Sequence, residues 1–461
     1  MLFDPIGERL MFEADIATVL IISLLLMVAL GVHIAVALGS TSALGIYLVT
    51  GGNFDIVLKM LASTAYESLR SYEFAVIPLF MLMGEFIGKS GAVTDVYRAI
   101  QKGLKRIPGR LALATLLGNA IFSFVTGVSI ASAAAFSRIA YPEMKRFGYD
   151  PGFALGSIAG SSCLGMLIPP SVMMIVWGLL TEQSIGQIFL AGVLPGLLLL
   201  SLFIVYVLAM ALLRPDLVGE DKDRDLALVL PDMAGSEVQA IQVWISGLGI
   251  VLVVLAVLGG IWFGVFTPTE GAGVGAFIGL VMAIAKGMRY RGVIDSILSV
   301  GRTSAPILLL LVAASLYSRT LAMTGVSSAI QGLFLDADLL PWMILALMVG
   351  IWFLLGMVID SISIMLLTVT IFEPIAVSLG YDPIAFAIMG IIAIEAGLLT
   401  PPFGLLVYTV KAAIRAEDLD DGISVMRIFR YSAPYWFIML LGMIIIAIFP
   451  EIATYLPNLL F

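Results

Sequence analysis

An all-α polytopic membrane protein made of two inverted repeats, each with a re-entrant helical hairpin and a broken transmembrane helix, is the fold class this sequence predicts. Three observations lead there. Hydrophobic residues make up 61% of the 461 and charged residues only 12%, with a mean hydropathy of +1.10, whereas a soluble domain carries about 25% charge. Gly148-Tyr149-Asp150-Pro151, an apolar run and then Pro169-Pro170 recur 232 residues later as Gly380-Tyr381-Asp382-Pro383 and Pro401-Pro402. The basic residues, finally, divide 20 to 4 between the two faces of the membrane once the spans are threaded in order.

The elements follow from apolar runs and their punctuation. The first fifteen residues carry Asp4, Glu8, Glu13 and Asp15 against Arg9, unlike the basic start of a cleaved signal peptide, so the first apolar segment is expected to be retained. Runs of span length cover residues 12–30, 33–50 and 72–90, the scaffold spans of the first half. The run 110–146 is too long for one span and carries small polar residues at 126–132, which are costly facing lipid; it is predicted to be a hairpin of two short helices. Residues 151–180 form a span broken at Gly165 to Pro170, and 186–212 form another. The connector 214–237 contains Glu220-Asp221-Lys222-Asp223-Arg224-Asp225 and reads as a solvated cytoplasmic loop. The second half repeats the order, with spans within 240–322, a split run at 338–378, a broken span at 383–412 and a last span at 432–455. The predicted repeats are therefore 1–213 and 238–461.

If each split run enters and leaves on one side, each half has an odd number of crossings and the halves are opposite in orientation. Arg9, Lys59, Arg70 and Arg319 then fall on one face and the remaining 20 of the 24 basic residues on the other. The positive-inside rule makes the richer face cytoplasmic and puts both termini outside. A net charge of −8 offers no basic patch for nucleic acid, and the single Cys163 and His33 exclude an intrachain disulfide and histidine- or cysteine-cluster metal sites.

The chemistry is expected at the breaks. Proline lacks an N–H, so Pro169-Pro170 and Pro401-Pro402 withhold helical partners from the carbonyls of Gly165, Met166, Gly397 and Leu398. A bound cation could take these carbonyls, or the hydroxyls of Ser161, Ser162 or Thr400 could. The hairpin midpoints Ser123–Ser132 and Gly356–Ser363 supply glycines for a turn, hydroxyl and carbonyl oxygens for a hard cation, and half-helix N-termini for an anion. Asp360 and Glu395 are acids within apolar runs, and intramembrane acids are costly enough to read as functional. Asn119 could touch a solute or tie two helices together. Glu270 reads as an acid in a helix's first turn, His33 as an interfacial residue, and Cys163 as packing. No arginine is placed in the centre to bind a carboxylate.

These residues resemble the large membrane subunit of the tripartite ATP-independent periplasmic (TRAP) transporters, DctM-like permeases. The resemblance is carried by Asn119-Ala120-Ile121-Phe122, Thr126-Gly127-Val128-Ser129, Pro142-Glu143-Met144-Lys145-Arg146-Phe147-Gly148-Tyr149-Asp150-Pro151 and Leu164-Gly165-Met166-Leu167-Ile168-Pro169-Pro170-Ser171. It continues through Phe266-Thr267-Pro268-Thr269-Glu270, Ile359-Asp360-Ser361 and Glu395-Ala396-Gly397-Leu398-Leu399-Thr400-Pro401-Pro402. His33 and Leu406 depart from the pattern, standing where proline and asparagine are usual. The resemblance implies an elevator-type, sodium-coupled importer of an organic acid in a bacterial or archaeal cytoplasmic membrane. A periplasmic solute-binding protein would deliver the acid, and a small four-helix membrane subunit, expected as a separate chain, would support the permease in the lipid. Implied sodium ligands are Thr126, Gly127, Ser129, Ser161, Gly165, Asp360, Ser361, Ser363, Gly397 and Thr400, with Glu395 a further candidate. Implied solute contacts are Asn119, Thr126, Ser129, Ser162, Pro170, Ser361 and Pro402. The alternative is a stand-alone ion-coupled carboxylate transporter. An intramembrane enzyme lacks a nucleophile–base pair in this sequence, no cofactor beyond coupling ions is expected, and no phosphate-cradling loop ending in Lys-Ser/Thr is present, so the energy is expected from a gradient.

Overall fold

The structure, a computed structural model, describes residues 5–219, 237–335, 339–420 and 422–461; the charged stretch Glu220–Asp225 lies outside them. Among the described residues every regular element is helical. The first half runs α1 (Pro5–Ala29), α2 (Ile34–Val49), α3 (Phe54–Arg70), α4 (Val76–Lys89), α5 (Ala92–Gly103), α6 (Arg110–Thr126), α7 (Ser129–Ile139), α8 (Tyr141–Arg146), α9 (Pro151–Ser162), α10 (Leu164–Leu167), α11 (Val172–Thr181) and α12 (Ile185–Leu213). The second runs α13 (Glu237–Val254), prolonged through a π turn to Trp262, then α14 (Pro268–Ala285), α15 (Tyr290–Thr324), α16 (Val326–Leu335), α17 (Pro341–Gly356), α18 (Ser361–Ser378), α19 (Pro383–Gly397), α20 (Leu405–Ala416), α21 (Val425–Ile448) and α22 (Glu451–Leu460).

Seven described helices are long and apolar enough to cross a membrane, or eight if α3 and α4, bent by 56°, count as one span. This is a multi-pass membrane protein. Of the most apolar 18-residue window in Pro151–Thr181, 89% is buried, against 28% of that in Ile185–Leu213, so the first broken helix is central and α12 more peripheral. Outer helices present bare apolar side chains, Leu213 and Phe263 each 76% exposed, as lipid-facing residues do. Two helices that the hydropathy pattern left unplaced, α3 and α5, are amphipathic, and both are fastened by ion pairs. Arg319 on α15 donates to Thr64 Oγ1 and Glu67 Oε2 of α3, each at 2.9 Å. Lys286 at the end of α14 pairs with Asp95 of α5 and donates to Ser246 of α13 at 2.6 Å.

The repeated Gly-Tyr-Asp-Pro has a local explanation. In each copy the glycine takes a left-handed φ, +74° at Gly148 and +87° at Gly380, which ends a helix without a Cβ penalty. Tyr149 N–H reaches Met144 O and Gly148 N–H reaches Lys145 O, while Tyr381 and Gly380 bond Ala376 and Val377 in the same pattern. The aspartate then caps the next helix: Asp150 Oδ1 accepts from Phe153 N–H at 3.0 Å, and Asp382 Oδ1 from Ile384 and Ala385 N–H at 2.9 Å. Proline at the first helical position costs no hydrogen bond. Four residues thus close one helix and open the next.

Both split runs fold back on themselves. In the first, Arg110 at its start stacks over the Phe147 ring, 5.1 Å to the centroid, and Tyr149 Oη accepts from Leu111 N–H at 3.2 Å, so the two ends meet. In the second, Trp352 Nε1 donates to Thr368 Oγ1 at 2.7 Å across the legs α17 and α18. The Trp352 ring also packs with Trp177 of α11 and Phe386 of α19, at 5.9 and 5.3 Å, joining hairpin and broken helices in one core. On the other flank, Gly152, Gly156 and Gly160 line one face of α9 so closely against Tyr431 and Tyr435 of α21 that added Cβ atoms would meet them at 2.1 to 2.6 Å. Small residues at four-residue intervals allow such an approach.

Glu270, read as an acid in a helix's first turn, is so here, and His33, read as interfacial, proves to be a helix cap. Thr267 and Glu270 form a capping box at the start of α14, and His33 caps α2, its Nδ1 accepting from Ala35 N–H at 3.3 Å.

Candidate functional site

Each hairpin tip is seated in the break of its own half. The first tip turns at Gly127, φ +61°, whose carbonyl accepts from Val172 N–H at 3.1 Å just past Pro170. A Cβ on Gly127 would lie 2.5 Å from Pro170 O, and one on Gly165 would lie 3.0 Å from Ser129 Cα. Asn119 Nδ2 donates to Ser161 Oγ at 2.6 Å, tying α6 to α9, while its Oδ1 is buried without a partner. Gly127, Ser129, Ser161, Gly165, Pro170 and Asn119 therefore come together. Thr126 and Ser162 direct their hydroxyl hydrogens to carbonyls of their own helices, Phe122 O at 3.1 Å and Ala159 O at 2.7 Å.

The second half repeats the arrangement. Gly356 and Gly397 touch backbone to backbone, so that a Cβ on either would meet the other's Cα at 2.7 to 2.8 Å. Phe403 N–H donates to Met357 O at 3.2 Å. Asp360 is half-buried and caps α18, its Oδ1 accepting from Ser363 N–H at 3.1 Å; Ser361 and Ser363, next to it in sequence, are buried, as is Thr400 in the break. The halves differ in access: Pro169 and Pro170 are buried, whereas Pro401, Pro402 and Phe403 are exposed. Both diproline bonds are cis.

Three of the four carbonyls released by the prolines have replacement donors, Thr400 among them as one of the two readings anticipated. Met166 O accepts from Ser171 Oγ, Gly397 O from Thr400 Oγ1, and Leu398 O from Leu406 N–H at 3.3 Å. After each break the chain returns far enough for a hydroxyl or the next helix's N–H to replace the missing donor. Gly397 O also accepts from Thr400 N–H at 3.0 Å, so it is doubly bonded, while Met166 O and Leu398 O each keep a second lone pair that can face an ion.

Between the halves lies Glu395, 1% exposed. Its carboxylate borders the hydroxyls of Ser129, on the first hairpin, and Ser361, on the second, yet neither carboxylate oxygen nor Ser129 Oγ makes a hydrogen bond. A buried polar group is ordinarily bonded, and a buried charge is ordinarily paired. Glu395 O also accepts the Cys163 Sγ contact at 3.8 Å, and those two positions are equivalent in the repeats, 232 residues apart. The meeting of Ser129 with Glu395 crosses the halves and was not expected from the sequence; the matching spacing of Cys163 and Glu395 was the signal for it. Among the described residues no cluster of three or more His, Cys, Asp or Glu could hold a metal ion; the oxygens available are hydroxyls, carbonyls and single acids, the set suited to a hard cation.

The family described as "Tripartite ATP-independent periplasmic transporter, DctM component" matches residues 21–452. This chain belongs to the DctM family of TRAP transporter large permeases. A DctM permease is a transporter subunit rather than an enzyme, and it works with a periplasmic binding protein and a small membrane subunit. One relative, the C4-dicarboxylate TRAP transporter large permease DctM of Pseudomonas aeruginosa, is 31% identical over 426 residues, 92% of this chain and 94% of its own. Another, the ectoine TRAP transporter large permease TeaC of Halomonas elongata, is 24% identical over 96% of this chain and 99% of its own. In fold, this DctM chain is similar to the crystal structure of the YdaH transporter of Alcanivorax borkumensis, with a TM-score of 0.62 at 14% identity over 87% of this chain and 88% of that one.

Proposed function

We propose that this permease imports an organic acid by sodium-coupled secondary transport across a bacterial or archaeal cytoplasmic membrane, receiving the acid from an extracytoplasmic solute-binding protein. The observation that carries the reading is the pair of hairpin tips seated in two helix breaks with one unpartnered acid, Glu395, between them. Matched breaks in two halves of a transporter are where ions and substrate bind. In this reading residues 1–213 and 238–461 are inverted repeats joined by a cytoplasmic connector at 214–237, and hairpins plus broken helices move as an elevator against the remaining spans. Sodium is held by oxygens of Thr126, Gly127, Ser129, Ser161 and Gly165 in one half-site and of Asp360, Ser361, Ser363, Gly397 and Thr400 in the other. The acid meets Asn119, Thr126, Ser129, Ser162, Pro170, Ser361 and Pro402. Relatives named for a C4-dicarboxylate and for ectoine leave the particular acid to a thermal-shift screen of the partner receptor. Uptake into proteoliposomes with and without that receptor tests the tripartite arrangement; full uptake without it would favour a stand-alone carrier.

Asp360 gives a sharper test because it also caps α18. Asn caps about as well as Asp, whereas Ala loses about 1 kcal/mol. Asp360→Asn is expected to keep thermal stability but raise the sodium concentration for half-maximal uptake about tenfold, and Asp360→Ala is expected to lose both. An unchanged sodium requirement in Asp360→Asn would leave Asp360 a cap and nothing more.

A further inference from the structure

An arginine that the sequence did not place in the centre is brought by the fold to the edge of the second half-site. A cavity of about 770 Å³ is lined by Pro401, Arg427, Phe429, Arg430, Tyr431 and Trp436. Pro401 belongs to the break itself. Phe429 sits so near Gly404, at the far end of the break, that a Cβ there would meet its ring at 2.2 Å, and the Trp436 ring lies 5.3 Å from that of Phe353 on the second hairpin. The cavity thus adjoins both the second break and the hairpin seated in it.

Its two arginines are not equivalent. Arg427 and Arg430 are neighbours one turn apart on α21, but Arg427 is paired with the carboxylate of Asp150, the cap of the first broken helix. Arg430 is exposed and has no ion pair or hydrogen bond to any described residue. Its positive charge therefore faces a cavity whose other walls are Ser424, the paired Arg427 and otherwise aromatic and apolar side chains.

The geometry points to a carboxylate-binding subsite here. The Arg430 guanidinium takes an acid group of the solute, a planar donor fork matching a planar acceptor, while Phe429, Tyr431 and Trp436 cover its carbon skeleton. On the positive-inside threading the start of α21 is cytoplasmic, so this subsite receives the acid as it leaves the second half-site inward. The inference rests on the organic-acid reading proposed above.

The test uses the purified permease with its small subunit in phosphatidylcholine nanodiscs, without receptor. It is titrated calorimetrically with succinate, lactate, gluconate and N-acetylneuraminate, with receptor-driven uptake of the same four acids measured alongside. For whichever acid binds, Arg430→Ala is expected to raise Kd about tenfold, the worth of one charge-assisted contact, and Arg430→Lys is expected to recover part of it. Equal Kd values in wild type and Arg430→Ala, with wild-type uptake intact, overturn the subsite and leave the organic-acid reading standing. A wild type that neither binds nor takes up any of the four overturns both. Anionic lipid is the competing source of an acidic group. If Arg430→Ala alters only the thermal stabilisation gained from added phosphatidylglycerol and no acid's Kd, the arginine serves a lipid headgroup and the subsite is overturned.

Discussion

Gly127→Ala is expected to cut uptake at least about tenfold while the protein still inserts. Two costs coincide at this position. An alanine at φ +61° pays the left-handed penalty, about 1–2 kcal/mol, and its Cβ would stand 2.5 Å from Pro170 O, a backbone atom that cannot swing aside. Overpacking of that kind adds about 1–3 kcal/mol, and every 1.4 kcal/mol is about tenfold in an equilibrium. The tip must then leave the break or drag it along. Gly264→Ala is the matching control, with φ +69° but open space where the Cβ would go. It should show the backbone penalty without loss of uptake. Equal behaviour of the two variants would mean that the tip and the break are not locked together.

The second large effect is expected at Glu395, where function and stability should move in opposite directions. Glu395→Met replaces an unpartnered buried acid by an apolar side chain of similar length, which should stabilise the solute-free protein by about 1–3 kcal/mol. The same change should abolish ion-driven uptake, because it removes an acid that borders both hairpins. Glu395→Gln should also lose uptake, since it keeps the shape but not the charge. Thermal unfolding of the solute-free protein and sodium-driven uptake, measured on the same preparations, read the two effects separately. A destabilised Glu395→Met that retained uptake would make Glu395 a structural residue. Gains in stability at the expense of activity are characteristic of working sites.

The parts of this protein that are written locally were legible in its sequence. Gly-Tyr-Asp-Pro encodes a helix stop, a cap and a start within four residues, and those contacts formed in both copies. The hairpin at 110–146 declared itself by small polar residues where lipid would not tolerate them. The grouping of Gly127 and Ser129 with Gly165 followed because tip and break lie close along one half of the chain. What stayed hidden depends on return paths and on contacts between halves. Thr400 was one of the hydroxyls the sequence offered for these carbonyls, but nothing in it marks Ser171 as the donor that turns back to Met166 O. No local pattern says that Ser129 would border an acid more than 250 residues away, or that Arg430, in an otherwise ordinary second turn of α21, would look into a cavity beside Pro401. The amphipathic α3 and α5 escaped notice because Lys59, Arg70, Asp95 and Arg98 interrupt the hydropathy signal that marks a span.

The contact between Cys163 and Glu395 bears on how such a chain can have diversified. Where two copies of one motif meet at the same position, every residue choice made in both copies is made against itself. Glutamate in both would set two carboxylates face to face in a dry interior, and cysteine in both would leave no charge there at all. A twin-like molecule that carries one ion-seeking group at its midpoint must stop being a twin at that point. A double exchange, glutamate for Cys163 and cysteine for Glu395, would keep the composition and move the acid's allegiance from one copy to the other.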